Sequence, residues 1–338
     1  MSVSLSPRGR NFVRAVALKS AIGGGSQEDM MEVASQRWGT ASAEMVVRAA
    51  VGAVDSDDVG RDPTSLEFMG LVREQSVFGR LSGLRKVPFN VRMPRIGNGA
   101  STYWIGEAAP KPVSKPVVMG SQLKPAKVAG IVVITKEALM AAGRNAETAL
   151  QNDLVRAVTG TWDQAFLDPT NAGEAGVRPA SITNGAATVP ATADPTADIE
   201  ALIAAFGGDF ASAYFVMAPD TAVHLAKRRT GTAYEFADLG PRGGSILGIP
   251  TVTSRAAPAG MVALIDPTGI AGGDEGIEIR RASHTSLQMS DDPEDGPTEL
   301  VSLWQANLIA LLAEVHTNWE VQRPGSVAVI TGADYSEG

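Results

Sequence analysis

The side chains that do chemistry are few in this chain. It has three histidines, His224, His284 and His316, and no cysteine. None of the histidines sits in the HExxH spacing that puts two imidazoles on one helix face toward zinc. Without cysteine there are no disulfides, no thiolate catalysis and no Cys-based zinc site. No GxSxG elbow occurs, so the strained turn that exposes a nucleophilic serine is absent. Glycines cluster at Gly23 to Gly25, Gly243-Gly244 and Gly272-Gly273. None forms a phosphate-cradling GxxxxGK[ST] or GxGxxG, and all read as flexible turns. Asp291, Asp292, Glu294 and Asp295 could face a hard cation, but Pro293 interrupts them and EF-hand spacing is missing; a solvated turn is the simpler reading. Lys227, Arg228 and Arg229 end a predicted helix, where cations complement the helix dipole. Nucleic acid or a neighbour's acidic loop are the other targets such a cluster suits. No metal, cofactor or catalytic constellation emerges, and no enzyme is expected.

One stretch carries contact chemistry instead. "STYWIGEAAPKPVSKPVV", Ser101 to Val118, sets Tyr103 and Trp104 before a lone Glu107, Lys111 and Lys115. Pro110, Pro112 and Pro116 forbid a helix and hold the chain extended. A substrate loop, a cofactor lid and an arm for a neighbouring copy all fit that composition.

The totals narrow the choice. With 338 residues, 44% of them hydrophobic, the chain can bury a sizeable core. A net charge of −8 argues against a protein whose main task is gripping nucleic acid. The N-terminal apolar patch is interrupted by Arg14 and Lys19, so no signal-peptide core forms. The run "NLIALLAEV" is too short to cross a bilayer, and a soluble intracellular protein is expected.

The elements that must position the arm are mixed α and β. A helical stretch capped by Ser26 is interrupted near Gly39 and ends at the polar "VDSDDVGRDP". Pro63 opens a second helical stretch to Leu81, and a strand is expected over Val128 to Ile134. The spacing of Leu150, Leu154, Val158, Trp162 and Ala165 predicts a helix over 145–168, capped by Asn145 and stopped by Pro169. A long Gly/Ala/Thr/Pro loop follows, then a helix over 198–206, a strand, and a helix starting at Pro219. "GIPTVTSR" and "MVALIDP" read as strands. Ile309, Leu311, Ala313, Val315, Trp319 and Val321 alternate as in a long half-buried strand.

The order of these elements resembles the major capsid proteins of tailed bacteriophages, with the Hong Kong 97-type fold. "YWIGEAAPKPVSKPVV" followed by "LKPAKVAGIVVITKEAL" is similar to the end of that family's extended loop, the E-loop, and the return to its peripheral domain. Trp104, Glu107, Lys127, Thr135, Glu137 and Leu139 stand at the pattern's positions. The helix over 145–168 resembles the family's spine helix. "FVMAPDTAVHLAKRRTGTAYEF" resembles the strand-turn-helix of the axial domain, with Ala218-Pro219 where Asn-Pro is usual. The similarity covers 63–330.

The resemblance implies an α+β fold divided as follows: an N-terminal arm or helical segment over 1–62, a helix leading into the core over 63–91, the E-loop over 92–118, a peripheral domain over 119–190, an axial domain over 191–297, and C-terminal peripheral-domain strands over 298–338. It implies a major capsid protein that forms pentamers and hexamers and tiles an icosahedral shell around double-stranded DNA, held without sequence specificity. The subunit would be assembled in the host bacterial cytoplasm and end in the virion, with portal and scaffolding or decoration proteins as further partners, no membrane and no cofactor. Tyr103, Trp104, Glu107, Lys111 and Lys115 would contact a neighbouring subunit. Some members link subunits through Lys and Asn; Lys111, Lys115 and Asn318 have those residue types. An encapsulin-type compartment and, from another class, a cytosolic hydrolase with a lid-like arm are the competing readings.

Overall fold

The computed structural model describes residues 14, 18, 27–51, 63–96, 118–137, 144–290 and 299–336. Two units emerge: 1–79 with 127–162 and 275–316, and 80–126 with 163–274 and 317–338.

In the first unit, helices α1 (Gln27–Trp38) and α2 (Thr40–Val51) pack into a hairpin. Gly39 takes φ 83 between them, which only glycine adopts freely. Leu18, Ala34, Ala43, Val46 and Val47 form their core. Arg14 and Arg37 stand 5.7 and 5.5 Å from the centre of the Trp38 ring. Helix α3 (Pro63–Gln75) stops at Ser76, and a single turn, α4 (Val77–Arg80), follows. The predicted continuous stretch to Leu81 is therefore two pieces. The Ser76 hydroxyl accepts the Gly79 amide at 3.0 Å and so restarts the helix. Phe78 lies 5.1 Å from Trp162, and both are buried.

The second unit begins with strand β1 (Arg85–Lys86), then β2 (Arg92–Ile96) and β3 (Val118–Gln122). In chain order strand β4 (Ala126–Thr135) and helix α5 (Arg144–Leu167) follow; nearly all of β4 and most of α5 belong to the first unit. Asn145, expected to cap α5, lies inside it. Pro169 stops it as expected, and Asp168 closes the turn by accepting the Thr170 amide and hydroxyl at 2.9 and 2.7 Å.

Residues 171–186, expected as loop, are turns, but the same loop hides strand β5 (Ala187–Pro190). Helix α6 (Pro195–Ala205) starts three residues earlier than the 198–206 expected, because Asp194 accepts the amides of Thr196 and Ala197 and Pro195 suits the first turn. Strand β6 (Tyr214–Met217) leads to α7 (Pro219–Lys227). Then come β7 (Arg229–Thr230), β8 (Ala233–Tyr234), β9 (Leu239–Gly240), β10 (Gly243–Ile246), β11 (Ile249–Thr253) and β12 (Met261–Ile265).

The chain closes with β13 (Ile270–Ala282), β14 (Ser286–Gln288), β15 (Leu300–Ser302), β16 (Leu308–Val321) and β17 (Val327–Thr331). Gly272-Gly273, expected as a turn, lies within β13. A Cβ on Gly273 would sit 2.6 Å from the Val87 carbonyl oxygen, so close packing and not flexibility calls for glycine there.

Seven strands form one sheet in the order β5-β17-β12-β6-β11-β10-β9. β5, β17, β6 and β11 run the same way; β12 and β10 run against them. The sheet buries Phe215, Met217, Val262, Leu264, Ala328 and Ile330 against Ile199 and Leu202 of α6 and Ala222 and Leu225 of α7. A second sheet has the order β1-β13-β16-β4, and β14-β15, β2-β3 and β7-β8 are two-stranded. On β16 the expected alternation holds only in part: Val315, Thr317 and Trp319 are buried and His316 and Asn318 are not, but Ala310 and Glu314 are also buried while Ala313 and Val321 are only half-buried.

Candidate assembly surfaces

The proline-rich arm leaves the second unit through a two-stranded root. β2 and β3 pair antiparallel from Arg92↔Gln122 out to Ile96↔Val118. Residues 97–117 between them, with Tyr103, Trp104, Glu107, Lys111 and Lys115, lie outside the described residues, as do Leu139 and the carboxylates Asp291, Asp292, Glu294 and Asp295.

The root is anchored firmly. Met93 is buried with Val87, Phe89, Leu123 and Ala271. Asn90 takes φ 61, a conformation asparagine tolerates better than most residues, and donates its amide to the Leu123 carbonyl at 2.8 Å. Gln122 donates from Nε2 to the Asn90 carbonyl at 2.8 Å. From β16, Asn318 donates its side-chain amide to the Lys124 carbonyl at 2.5 Å, and its Oδ1 accepts the Trp319 amide. Asn318 is thus committed to holding the root. A hollow of about 450 Å³ lies beside it, lined by Gln122, Lys124, Glu174, Arg178 and Asn318 among others.

The second unit's other polar knot is Asp266, fully buried where β12 ends. It accepts the Asp209 amide at 3.0 Å, the Ser212 hydroxyl at 2.7 Å, and the Thr268 amide and hydroxyl at 3.0 and 2.7 Å. Arg323 completes it with an ion pair at 2.9 Å. Burial disfavours the charge of Asp266, yet the hydrogen bonds from Asp209, Thr268 and Ser212 outweigh it and hold its pKa below the usual carboxylate value. Nearer the C-terminus, Tyr335 donates to Asp198 at 2.9 Å. Burial first, and this bond second, push the Tyr335 phenol well above its usual range.

In the first unit Lys127 of β4 pairs with the nearly buried Glu314 of β16 at 3.1 Å. Glu137 meets the Asn307 side-chain amide, and Lys136 donates its amide to the Asn307 carbonyl at 3.0 Å. Lys127, Thr135 and Glu137 therefore all lie on or beside β4.

The basic cluster at the end of α7 divides its work. Arg228 donates to the Ala193 carbonyl at 3.3 Å. Arg229 donates to the Tyr234 hydroxyl at 2.6 Å and stacks on that ring at 4.4 Å. Lys227 is exposed. No group of three or more His, Asp or Glu side chains suited to a metal ion occurs among the described residues. No helix there is long and apolar enough to cross a membrane.

Sequence reasoning missed Asp266 and the apolar surface positions. Large hydrophobic side chains stand exposed at Ile131 of β4, Phe210, Leu247, Leu300 and Trp304. Only the Leu247-Gly248 dipeptide between two short strand patterns gives a sequence signal, that of a hairpin tip.

Exposed apolar side chains in each unit, and an anchored arm root in the second, suit a protein that contacts other chains. The model of the phage capsid family matches residues 61–332. The chain belongs to that family. A capsid polyprotein of Pseudomonas phage PAJU2 is 35% identical over 329 residues, covering 87% of this chain and 49% of the relative, so the chain spans about half that protein's length. Among solved structures, a chain from Gordonia phage Cozz superposes with a TM-score of 0.56 at 20% identity, covering 76% of this chain and 86% of its own. One from Mycobacterium phage Ogopogo gives 0.54 at 19% identity over 76% and 92%. A chain from the capsid of a native GTA particle gives 0.53 at 14% identity over 75% and 88%. The fold is the α+β Hong Kong 97-type capsid fold, and the chain is a phage capsid protein, a structural component of a virion.

Proposed function

We propose that this chain is the subunit that tiles an icosahedral phage head, forming pentamers and hexamers around double-stranded DNA. The carrying observation is the family match over 61–332, and the anchored β2–β3 root supports it. In this reading 92–118 is the E-loop, reaching over a neighbouring subunit, with Tyr103 and Trp104 docking and Lys111 and Lys115 steering toward acidic partners. Glu107 sits between them on the same arm. Proline stiffening lowers the entropy lost when such an arm docks. Residues 1–62 form the N-terminal arm and 63–91 the helix into the core. The peripheral domain is 119–190, joined by the C-terminal strands over 298–338, and the axial domain is 191–297. Each contact is modest, and the shell sums many of them.

The net charge of −8 suits a container that must hold DNA and release it. Portal and scaffolding or decoration proteins complete the particle, which assembles in the host bacterial cytoplasm. The experiment is electron microscopy and sedimentation of the purified protein across salt, pH and crowding conditions. Closed shells are expected. Protein that stays a small oligomer throughout overturns the reading.

A further inference from the structure

The turn between β10 and β11 is chemically out of place. Ile246 pairs with Ile249, so Leu247 and Gly248 form a two-residue connection with φ 53 and φ 80. Two positive φ values mark a type I′ turn, where Asn-Gly is preferred because asparagine tolerates the left-handed region and leucine does not. Leu247 is also 77% exposed. Its backbone conformation and its 77% exposure are both unfavourable, and no hydrogen bond or packing partner offsets them among the described residues. It borders a hollow of about 500 Å³ with Ile203, Phe210, Ile249 and Pro250. Phe210 is 44% exposed. The charged side chains next to this surface are acidic: Glu200, one helical turn before Ile203, and Asp209, beside Phe210, are both exposed.

The complementary surface lies at the other end of the same sheet. The β10–β11 turn is at the end where β6 begins, since Thr251 pairs with Phe215 and β11 runs parallel to β6. Arg228 is bonded to Ala193, which leaves the finishing end of β5, and β5 runs the same way as β6. The β7–β8 hairpin beside it presents Tyr234, 51% exposed, with Arg229 stacked on the ring and Lys227 next to it. At this end Asp194 caps α6 and Glu235 accepts the Thr196 hydroxyl, while Asp220 and Asp334 stand exposed away from the hairpin tip.

We propose that the Leu247–Phe210 surface of one copy receives the Tyr234–Arg229 hairpin of a second copy, head to tail. Apolar meets aromatic, and Glu200 and Asp209 face Arg229 and Lys227. Two different patches at opposite ends make a heterologous contact, the kind that repeats around a ring and closes. This rests on the shell reading and names the surfaces that build its rings.

The test uses the full chain with Leu247→Asn and Arg229→Glu. Wild-type protein that forms no shells defeats the shell reading itself. Where it does form them, Leu247→Asn is expected to keep or raise the melting temperature, because asparagine suits the turn, while shell yield falls by at least about tenfold. Arg229→Glu should lose assembly likewise. Each variant alone stays monomeric, but a mixture forms heterodimers, because each supplies the face the other lacks. Normal shells from Leu247→Asn, a melting temperature that falls with assembly, or a mixture that remains monomeric overturns the proposal.

Discussion

Strands β12 and β4 are both apolar, and the structure treats them oppositely. Met261 to Ile265 are all buried, set between β17 and β6. On β4 only Ala126 is buried, and Ile131 stands 54% exposed at the edge of its sheet. An apolar run inside a sheet has its burial completed by its own chain. The same composition on an edge leaves apolar surface and unpaired backbone for something outside. In the proposed shell, other subunits would take that place.

The sharpest test of this contrast is in β12. Leu264→Ala should cost about 2–5 kcal/mol in denaturant titrations, since Leu264 is fully buried at the sheet centre. A cost under about 1 kcal/mol would remove the distinction between the two strands.

Arg323→Ala leaves the Asp266 carboxylate without its counter-charge and should cost about 1.5–3 kcal/mol at neutral pH. The pH dependence has a definite sign. Asp266 has its pKa lowered by folding, so its contribution is present above the unfolded value of about 4 and is lost as pH falls through the lower folded value. Stabilities of wild type and Asp266→Asn should therefore converge in acid; a gap that widens below pH 4 would contradict the geometry.

Gly273→Ala should destabilise by about 1–3 kcal/mol, because the new methyl meets the Val87 carbonyl. Hydrogen exchange should show the loss around Val87 and the arm root; unchanged exchange there would locate the effect elsewhere. The smallest effect belongs to β4: Ile131→Lys should change folding stability by no more than about 0.5 kcal/mol, with any defect appearing in shell assembly. A large loss of stability would show that β4 is covered by its own chain.

Period and punctuation made much of this readable. Helix α5 announces itself through Leu154, Val158 and Trp162 and ends before Pro169. Strand β16 does so through the two-residue period of Ile309, Leu311, Ala313 and Val315, though its burial follows that period only in part. What stayed hidden depends on distant partners. "IAGGDEGIEI" reads as a turn until Val87 is seen against Gly273. "ATVP" is a strand only because β17, far along the chain, pairs with it. Asp266 looks like an ordinary Asp-Pro turn; its partners Asp209 and Arg323 are each 57 residues away. The extended, contact-forming reading of the arm rests on its prolines and aromatics alone, because 97–117 lie outside the described residues; the structure adds the β2–β3 root on either side.

The position of β17 has a consequence for synthesis. It lies between β12 and β5, yet both are made before it, and Tyr335 locks onto Asp198 just after it. A nascent chain that has not reached Val327 has β12 as a raw edge and β5 with nothing to pair against. The sheet closes only once Val327 to Thr331 have emerged, so a nascent subunit lacks its finished core until that late segment is made.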